Sequence, residues 1–268
     1  MNKPMRATAK ALLLSGVLAF TFSCDKDNED NPIDLNQKVT TTEVQTILET
    51  DEFSSAADGV ITDIFDQGSA KYSSKNEDCY ATTFTDTGFT VTFDNCTVEE
   101  GEEELNGVLT VTYKEGEEST AFMATYTDLS VGEYVINGTR SFTMNGNGEN
   151  ENVSFTIVSD MSIKLADGSV IEEAGTKTFA ILFDFENFAN SALTIAGDWT
   201  VKADGQTYTV RVSSDLIANF GCEYVGKGVM ALAKNGLEVV IDFGDGTCDE
   251  MADMTYPDGT KEEISLKD

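Results

Sequence analysis

The sequence predicts an all-β protein, an antiparallel meander of about 10–12 strands. Apolar residues alternate with Thr and Ser in segments such as Phe89, Val91, Phe93, the period of a half-buried strand. Turn dipeptides such as Asn235-Gly236 and Asp258-Gly259 separate these segments. A flat open sheet of this width is rarely stable, so we expect a curved sheet or incomplete barrel, with a β-sandwich as the alternative.

A two-strand unit recurs along the chain. Its first half is an apolar residue, a spacer, Asp or Asn, and a second apolar residue. The Asp or Asn stands at Asn95, Asp128, Asp160 and, more loosely, Asn187. Its second half is a glycine that leads into the next strand, in Asn106-Gly107, Asn137-Gly138, Ala174-Gly175 and Ala196-Gly197. Each unit therefore predicts about two strands joined by polar turns.

One or two helices precede the strands. Residues 40–67 carry apolar side chains at three- and four-residue spacing. Thr40 and Glu43 have the spacing of a capping box, and Asp51 starts a second helical piece. We expect the apolar face to pack on the sheet, so that residues 40–268 form a single β-rich domain with its antiparallel sheet in 79–268.

The N-terminus has the features of an export signal. Lys3, Arg6 and Lys10 precede an apolar run, residues 11–22, which is too short for a permanent membrane span. The run ends in Thr-Phe-Ser-Cys at Cys24, which resembles the lipobox of bacterial lipoproteins. That resemblance implies that residues 1–23 are cleaved and that Cys24 becomes the acylated first residue. The alternative is an ordinary signal peptide with an incidental cysteine.

The stretch behind Cys24 is charged. Residues 24–39 include the run Asp-Lys-Asp-Asn-Glu-Asp-Asn-Pro, which cannot bury itself and predicts a flexible acidic tether. The run looks like the acidic signal that exports lipoproteins of the Bacteroidota to the outer face of the outer membrane. The expected location is therefore the outer membrane, lipid-anchored and exposed at the cell surface.

Four cysteines remain once Cys24 is set aside, and export permits disulfides between them. A two-residue turn at Thr87-Gly88 places Cys79 opposite Cys96. A three-residue loop at residues 234–236 likewise places Cys222 opposite Cys248. Metal binding by these cysteines is not expected, because the chain has no CxxC spacing and no histidine.

The charge limits the partners. A net charge of −31 argues against binding nucleic acid or anionic lipid, since both would be repelled. No organic cofactor is expected. Asp242, Asp245, Asp249 and Glu250 are candidate calcium ligands because they offer carboxylate oxygens. The alternative is a disulfide-anchored turn whose carboxylates face water.

The segments 222–228 and 239–249 look like the close of uncharacterised β-rich surface lipoproteins of the Bacteroidota, and with the repeats this resemblance covers most of the mature chain. It implies no activity. The chain lacks histidine, the usual base of Ser-His and Cys-His catalysis. We therefore expect a non-catalytic binding or accessory module with a glycan or protein partner. A carboxylate-based hydrolase of surface polysaccharide and a carrier of lipid or small apolar ligands are the alternatives.

Overall fold

In a computed structural model of the chain, fourteen antiparallel strands among the described residues form one sheet. The structure describes residues 38–48, 50, 58, 60–61, 72–73, 79–98, 104–114, 121–146, 153–184, 187 and 191–267. The predicted all-β meander is confirmed, and the single sheet replaces the two-layer sandwich that was the alternative. The predicted signal peptide, Cys24 and nearly all of the tether lie outside the described residues.

The strands follow one another across the sheet in chain order, except that β1 and β2 both pair with β3. They are β1 Tyr72–Ser73, β2 Tyr80–Thr85, β3 Gly88–Val98, β4 Glu104–Tyr113, β5 Ala121–Val131, β6 Tyr134–Gly146, β7 Val153–Lys164, β8 Val170–Leu182, β9 Ala192–Ala203, β10 Gln206–Asn219, β11 Lys227–Lys234, β12 Leu237–Asp245, β13 Met251–Thr255 and β14 Lys261–Ser265. The count exceeds the predicted 10–12, and the shortest strands are β1, β13 and β14, at two, five and five residues.

The sheet is open within the described residues, because β14 pairs only with β13 and no strand joins it to β1 or β2. It therefore has two edges. One edge is β14, and the other is formed by β2 beside the short β1.

The apolar core lies on one face of the sheet, which we call the inner face. Buried side chains of β8 to β14 form one cluster with Val44 and Ile47, and those of β3 to β7 form a second with Val60 and Ile61. Trp199, 3% exposed, belongs to the first cluster. The opposite face, here called the outer face, carries the alternate residues of each strand.

The helical segment that packs on the inner face begins with the predicted capping box. The Thr40 N–H donates to Glu43 Oε2 at 2.9 Å, and the Glu43 N–H donates to Thr40 Oγ1 at 3.3 Å. Residues 41–48, 50, 58, 60 and 61 are helical, and the rest of the predicted 40–67 segment lies outside the described residues. No helix in the described part of the chain is long and apolar enough to cross a membrane.

Two of the repeated Asp/Asn positions are β-bulges. Asn95 and Asp128 have left-handed φ of 53° and 45°, and the strand register shifts at each. The Asn95 N–H donates to Asn106 Oδ1 at 2.7 Å, and the Asp128 N–H donates to Asn137 Oδ1 at 2.8 Å. The repeat therefore records a bulge in one strand and the Asn that stabilises it in the next.

The register expected for the first cysteine hairpin is wrong by two residues. Thr85 pairs with Gly88, so the turn is Asp86-Thr87 rather than Thr87-Gly88. The neighbouring strand β4 explains the glycine at position 88, because a Cβ there would lie 1.9 Å from the Val111 carbonyl oxygen. The bulge at Asn95 then brings Cys96 back to Cys79.

The loop expected for the second hairpin is also wrong. Lys234 pairs with Leu237, so the turn has two residues, Asn235 and Gly236. Both have positive φ, 51° and 85°, as a type I′ turn requires. Cys222 and Cys248 lie in the segments beyond these strands, where the hairpin register does not apply.

Candidate functional site

The four cysteines pair as predicted. Cys79 and Cys96 lie at disulfide distance with Cα atoms 5.2 Å apart, and Cys222 and Cys248 do so with Cα atoms 5.5 Å apart. The first pair is buried and fixes the start of β2 to β3. The second joins the segment after β10 to the segment after β12. Cys24 lies outside the described residues, so its acylation stays a prediction.

Three of the calcium candidates line one open cleft of about 520 Å³ at the β12–β14 end of the sheet, namely Asp242, Asp245 and Asp249. Each carboxylate accepts a backbone N–H two residues further on. The Thr247 hydroxyl also donates to Asp245 at 2.8 Å, and these Thr247 hydrogen bonds lower the pKa of Asp245. Glu250 is not in the lining.

These exposed carboxylates are arranged as expected for the alternative to a calcium site, a disulfide-anchored turn whose carboxylates face water. No group of three or more acidic, His or Cys side chains in the described residues is placed to hold a metal ion. Calcium binding therefore stays a prediction from the sequence.

The same cleft contains a short row of carboxylates on the outer face. Asp242 pairs with Asp253, and Asp253 pairs with Glu263, across three adjacent strands. All three are exposed, and like charges directly opposite one another repel. A general acid working near neutral pH requires a carboxyl whose pKa is raised, usually by burial. Their exposure therefore gives no support to the hydrolase alternative.

A second depression of about 410 Å³ opens on β6 to β9. Its polar lining residues are Asn137, Thr139, Asp160, Ser162, Glu172, Glu173, Thr200 and Lys202, and Met161 and Ala174 line it as well. Lys202 Nζ lies 2.7 Å from Glu172 Oε2, with both side chains more than half exposed, and this hydrogen bond raises the pKa of Lys202. Amide, hydroxyl and charged groups of this kind form hydrogen bonds with a polar ligand.

Charged residues on the inner face were not anticipated from the sequence. Lys177 Nζ lies 2.8 Å from Glu173 Oε2, and the two side chains are 2% and 1% exposed. Gly175 stands between them on β8, and Lys177 Nζ lies 4.5 Å from the centre of the Trp199 ring. The sequence could have predicted their burial from the alternation of strand residues, because Glu173 and Lys177 lie at even spacings from the buried Ile171 and so face the same side of the sheet.

A second ion pair joins the helical segment to the sheet. Arg140 Nη1 lies 2.6 Å from Asp58 Oδ2, and Arg140 is only 2% exposed. Tyr126 lies in the same cluster, where burial and then the Asp58 charge raise its pKa. A buried charge is retained when a partner compensates it. Asp58 therefore fixes the helical segment over the second apolar cluster.

Comparisons of the chain with protein families, with curated proteins and with solved structures find no match. The chemistry of the candidate site follows from its own residues. The inner face is occupied by the core and the helical segment, whereas the outer face carries the carboxylate row and the second depression. The outer face is therefore the candidate interaction surface.

Proposed function

We propose that this chain is a lipid-anchored lipoprotein at the outer surface of the outer membrane, with a non-catalytic binding or accessory role. In this proposal Cys24 carries the lipid, residues 24–39 are the tether, and the sheet is displayed beyond them. The order of the N-terminal features, an export signal followed by a cysteine and then an acidic run, supports the anchor. The two cysteine pairs support an oxidising compartment.

The observation that best supports a binding role is the difference between the covered inner face and the exposed outer face of the sheet. The inner face is covered by two apolar clusters and helical residues, while polar side chains of the outer face contribute to the lining of both described depressions. An extended, exposed and hydrogen-bonding surface suits a glycan or protein partner better than an apolar ligand.

A row of threonine hydroxyl groups extends the outer face across five strands. Five threonines on β2 to β6 are paired in one unbroken cross-strand row, Thr83, Thr90, Thr110, Thr125 and Thr139. The hydroxyls of Thr90 and Thr110 lie 3.1 Å apart. Each threonine offers a donor, an acceptor and a methyl group. Such a surface has the chemistry to contact hydroxyl-rich ligands.

Replacement of Cys24 tests the anchor. The Cys24→Ser chain has no thiol to acylate, so we expect it to lose metabolic palmitate labelling and to move from the detergent phase to the aqueous phase of Triton X-114. Ser23→Ala is the matched control, because it changes the neighbouring residue and keeps the thiol. Unchanged partitioning of the Cys24→Ser chain contradicts the anchor.

A further inference from the structure

The two edges of the open sheet differ in charge. Three of the five residues of β14, Lys261, Glu262 and Glu263, are exposed and charged. Charged edge strands discourage the addition of a further strand. The opposite edge strand, β2, reads Tyr-Ala-Thr-Thr-Phe-Thr and contains no charge, proline or glycine. It therefore lacks the charges and prolines that commonly protect an exposed edge strand.

The backbone of β2 offers hydrogen-bonding groups that point away from the sheet. The Asp94 N–H donates to the Cys79 carbonyl at 2.7 Å, which makes Cys79 a hydrogen-bonded position of the β2–β3 pair. Because these positions alternate in antiparallel strands, Ala81 and Thr83 bond to β3, while the N–H and C=O groups of Thr82 and Phe84 point outward. No other strand in the described part of the chain pairs with β2.

An exposed aromatic side chain marks the same edge. Phe84 is 76% exposed, the highest value among the large hydrophobic residues described. Its ring centre lies 6.0 Å from that of Phe89, which in turn lies 6.3 Å from that of Tyr113. Phe84 is thus the open end of a row of aromatic rings that continues into the core, and a partner side chain can extend this row.

The edge strand is held at both ends. The Cys79–Cys96 pair fixes its start. At its end the Thr85 hydroxyl donates to the Gly88 carbonyl at 3.1 Å and accepts from the Thr87 N–H at 3.3 Å. A strand ordered in advance loses little conformational entropy when another strand pairs with it.

We propose that β2 is a docking edge, at which an extended segment of a partner protein adds a strand. The segment carries an apolar side chain that packs on Phe84 and Lys or Arg at its flanks. Exposed Asp86 lies at one end of β2 and exposed Asp94 at the other, so basic flanks are complementary in charge. This inference rests on the proposed binding role, for which it names the partner.

A second copy of the chain is a poorer occupant. Its net charge of −31 makes two copies repel each other. Six residues paired edge to edge also bury less than the roughly 1,200 Å² of a stable interface. A short basic segment avoids the repulsion and gains affinity from main-chain hydrogen bonds.

The probe is a fluorescein-labelled peptide of alternating valine and threonine flanked by lysines, titrated against the acylated protein in detergent micelles. Thr82→Pro removes an outward N–H and none of the hydrogen bonds to β3, and Phe84→Lys adds a charge to the edge. We expect each substitution to weaken peptide binding about tenfold, because each removes one main-chain or apolar contact with the peptide. A peptide with glutamate flanks is expected to bind as weakly.

Glu263→Lys is the matched control, because it removes negative charge from the acidic cleft and leaves β2 unchanged. The proposal expects full binding by this variant, and a loss there would overturn it in favour of general electrostatic attraction. It is also overturned if the folded Thr82→Pro protein binds normally, or if the protein dimerises through β2 in sedimentation. Phe84→Lys decides the matter if Thr82→Pro does not fold.

Failure of this binding assay is distinguishable from failure of the proposed function. Triton X-114 partitioning of the Cys24→Ser chain reports the anchor and does not depend on β2. Absence of peptide binding by the wild-type protein, with normal partitioning, would reject the docking edge and leave the lipid-anchored module in place.

Discussion

Single residues determine where neighbouring strands can approach one another. Asn137 accepts the N–H of the Asp128 bulge on one side, and the next residue, Gly138, meets the following strand on the other. Gly138 has φ of +116°, and a Cβ on it would lie 2.2 Å from the Asp160 carbonyl oxygen. The Asn-Gly dipeptide thus stabilises a bulge and permits a close contact. The third unit has Ala174 in place of Asn, and the β7–β8 register is unbroken there.

Gly138→Ala is expected to lower the free energy of unfolding by about 3 kcal/mol, because overpacking and an unfavourable φ act together. Gly168→Ala is the control, since Gly168 also has positive φ, +87°, but no atom within 4 Å of its added Cβ. It is expected to cost about 1 kcal/mol. Urea denaturation measures both, and equal losses would show that the contact with Asp160 is unimportant.

The elements show what the sequence could and could not predict. The strands followed from alternation and the helix start from the Thr40 capping box, because both patterns are local. The Cys79–Cys96 pairing was predicted correctly from a wrong register, because the Asn95 bulge offsets the shifted turn. Gly88 misled that prediction, since its requirement comes from β4 and not from its own hairpin. Glu173 and Lys177 were missed because charged residues are ordinarily assigned to the exposed face.

The contact of the helical segment with the sheet predicts a pH dependence. Burial raises the pKa of Glu43, but hydrogen bonds from Lys234, the Thr40 N–H and Tyr208 lower it by more, so the net pKa is below its ordinary value. A lowered folded-state pKa stabilises the protein above the unfolded value, about 4.3 for Glu, and this stabilisation is lost as pH falls through the folded-state pKa.

Glu43→Gln removes this contribution. We expect the variant to be less stable than the wild type at pH 7, and the difference in unfolding free energy to shrink as pH falls below about 4. Chemical denaturation at several pH values measures it, with Glu238→Gln on the exposed side of β12 as the control. A difference that stays constant with pH would show that Glu43 does not titrate against Lys234 and Tyr208.

At the scale of the whole molecule, the described strands form one open sheet with two unlike faces and two unlike edges. The inner face holds the core and the helical segment. The outer face is exposed, and its polar and charged side chains lie among exposed apolar ones such as Val158, Val170 and Val240. A charged β14 protects one edge, whereas an uncharged β2 leaves the other available. In the proposed function, a lipid anchor at the N-terminus would display this broad surface and the β2 edge outside the cell.

Cysteine labelling on intact cells tests the display of the outer face most directly. Thr209 and Val210 are neighbours on β10, the first exposed on the outer face and the second 0% exposed on the inner face. A membrane-impermeant maleimide is predicted to label Thr209→Cys on intact cells, and to label Val210→Cys only after denaturation. Labelling of Thr209→Cys only after cell lysis, or equal labelling of both variants on intact cells, would contradict the account.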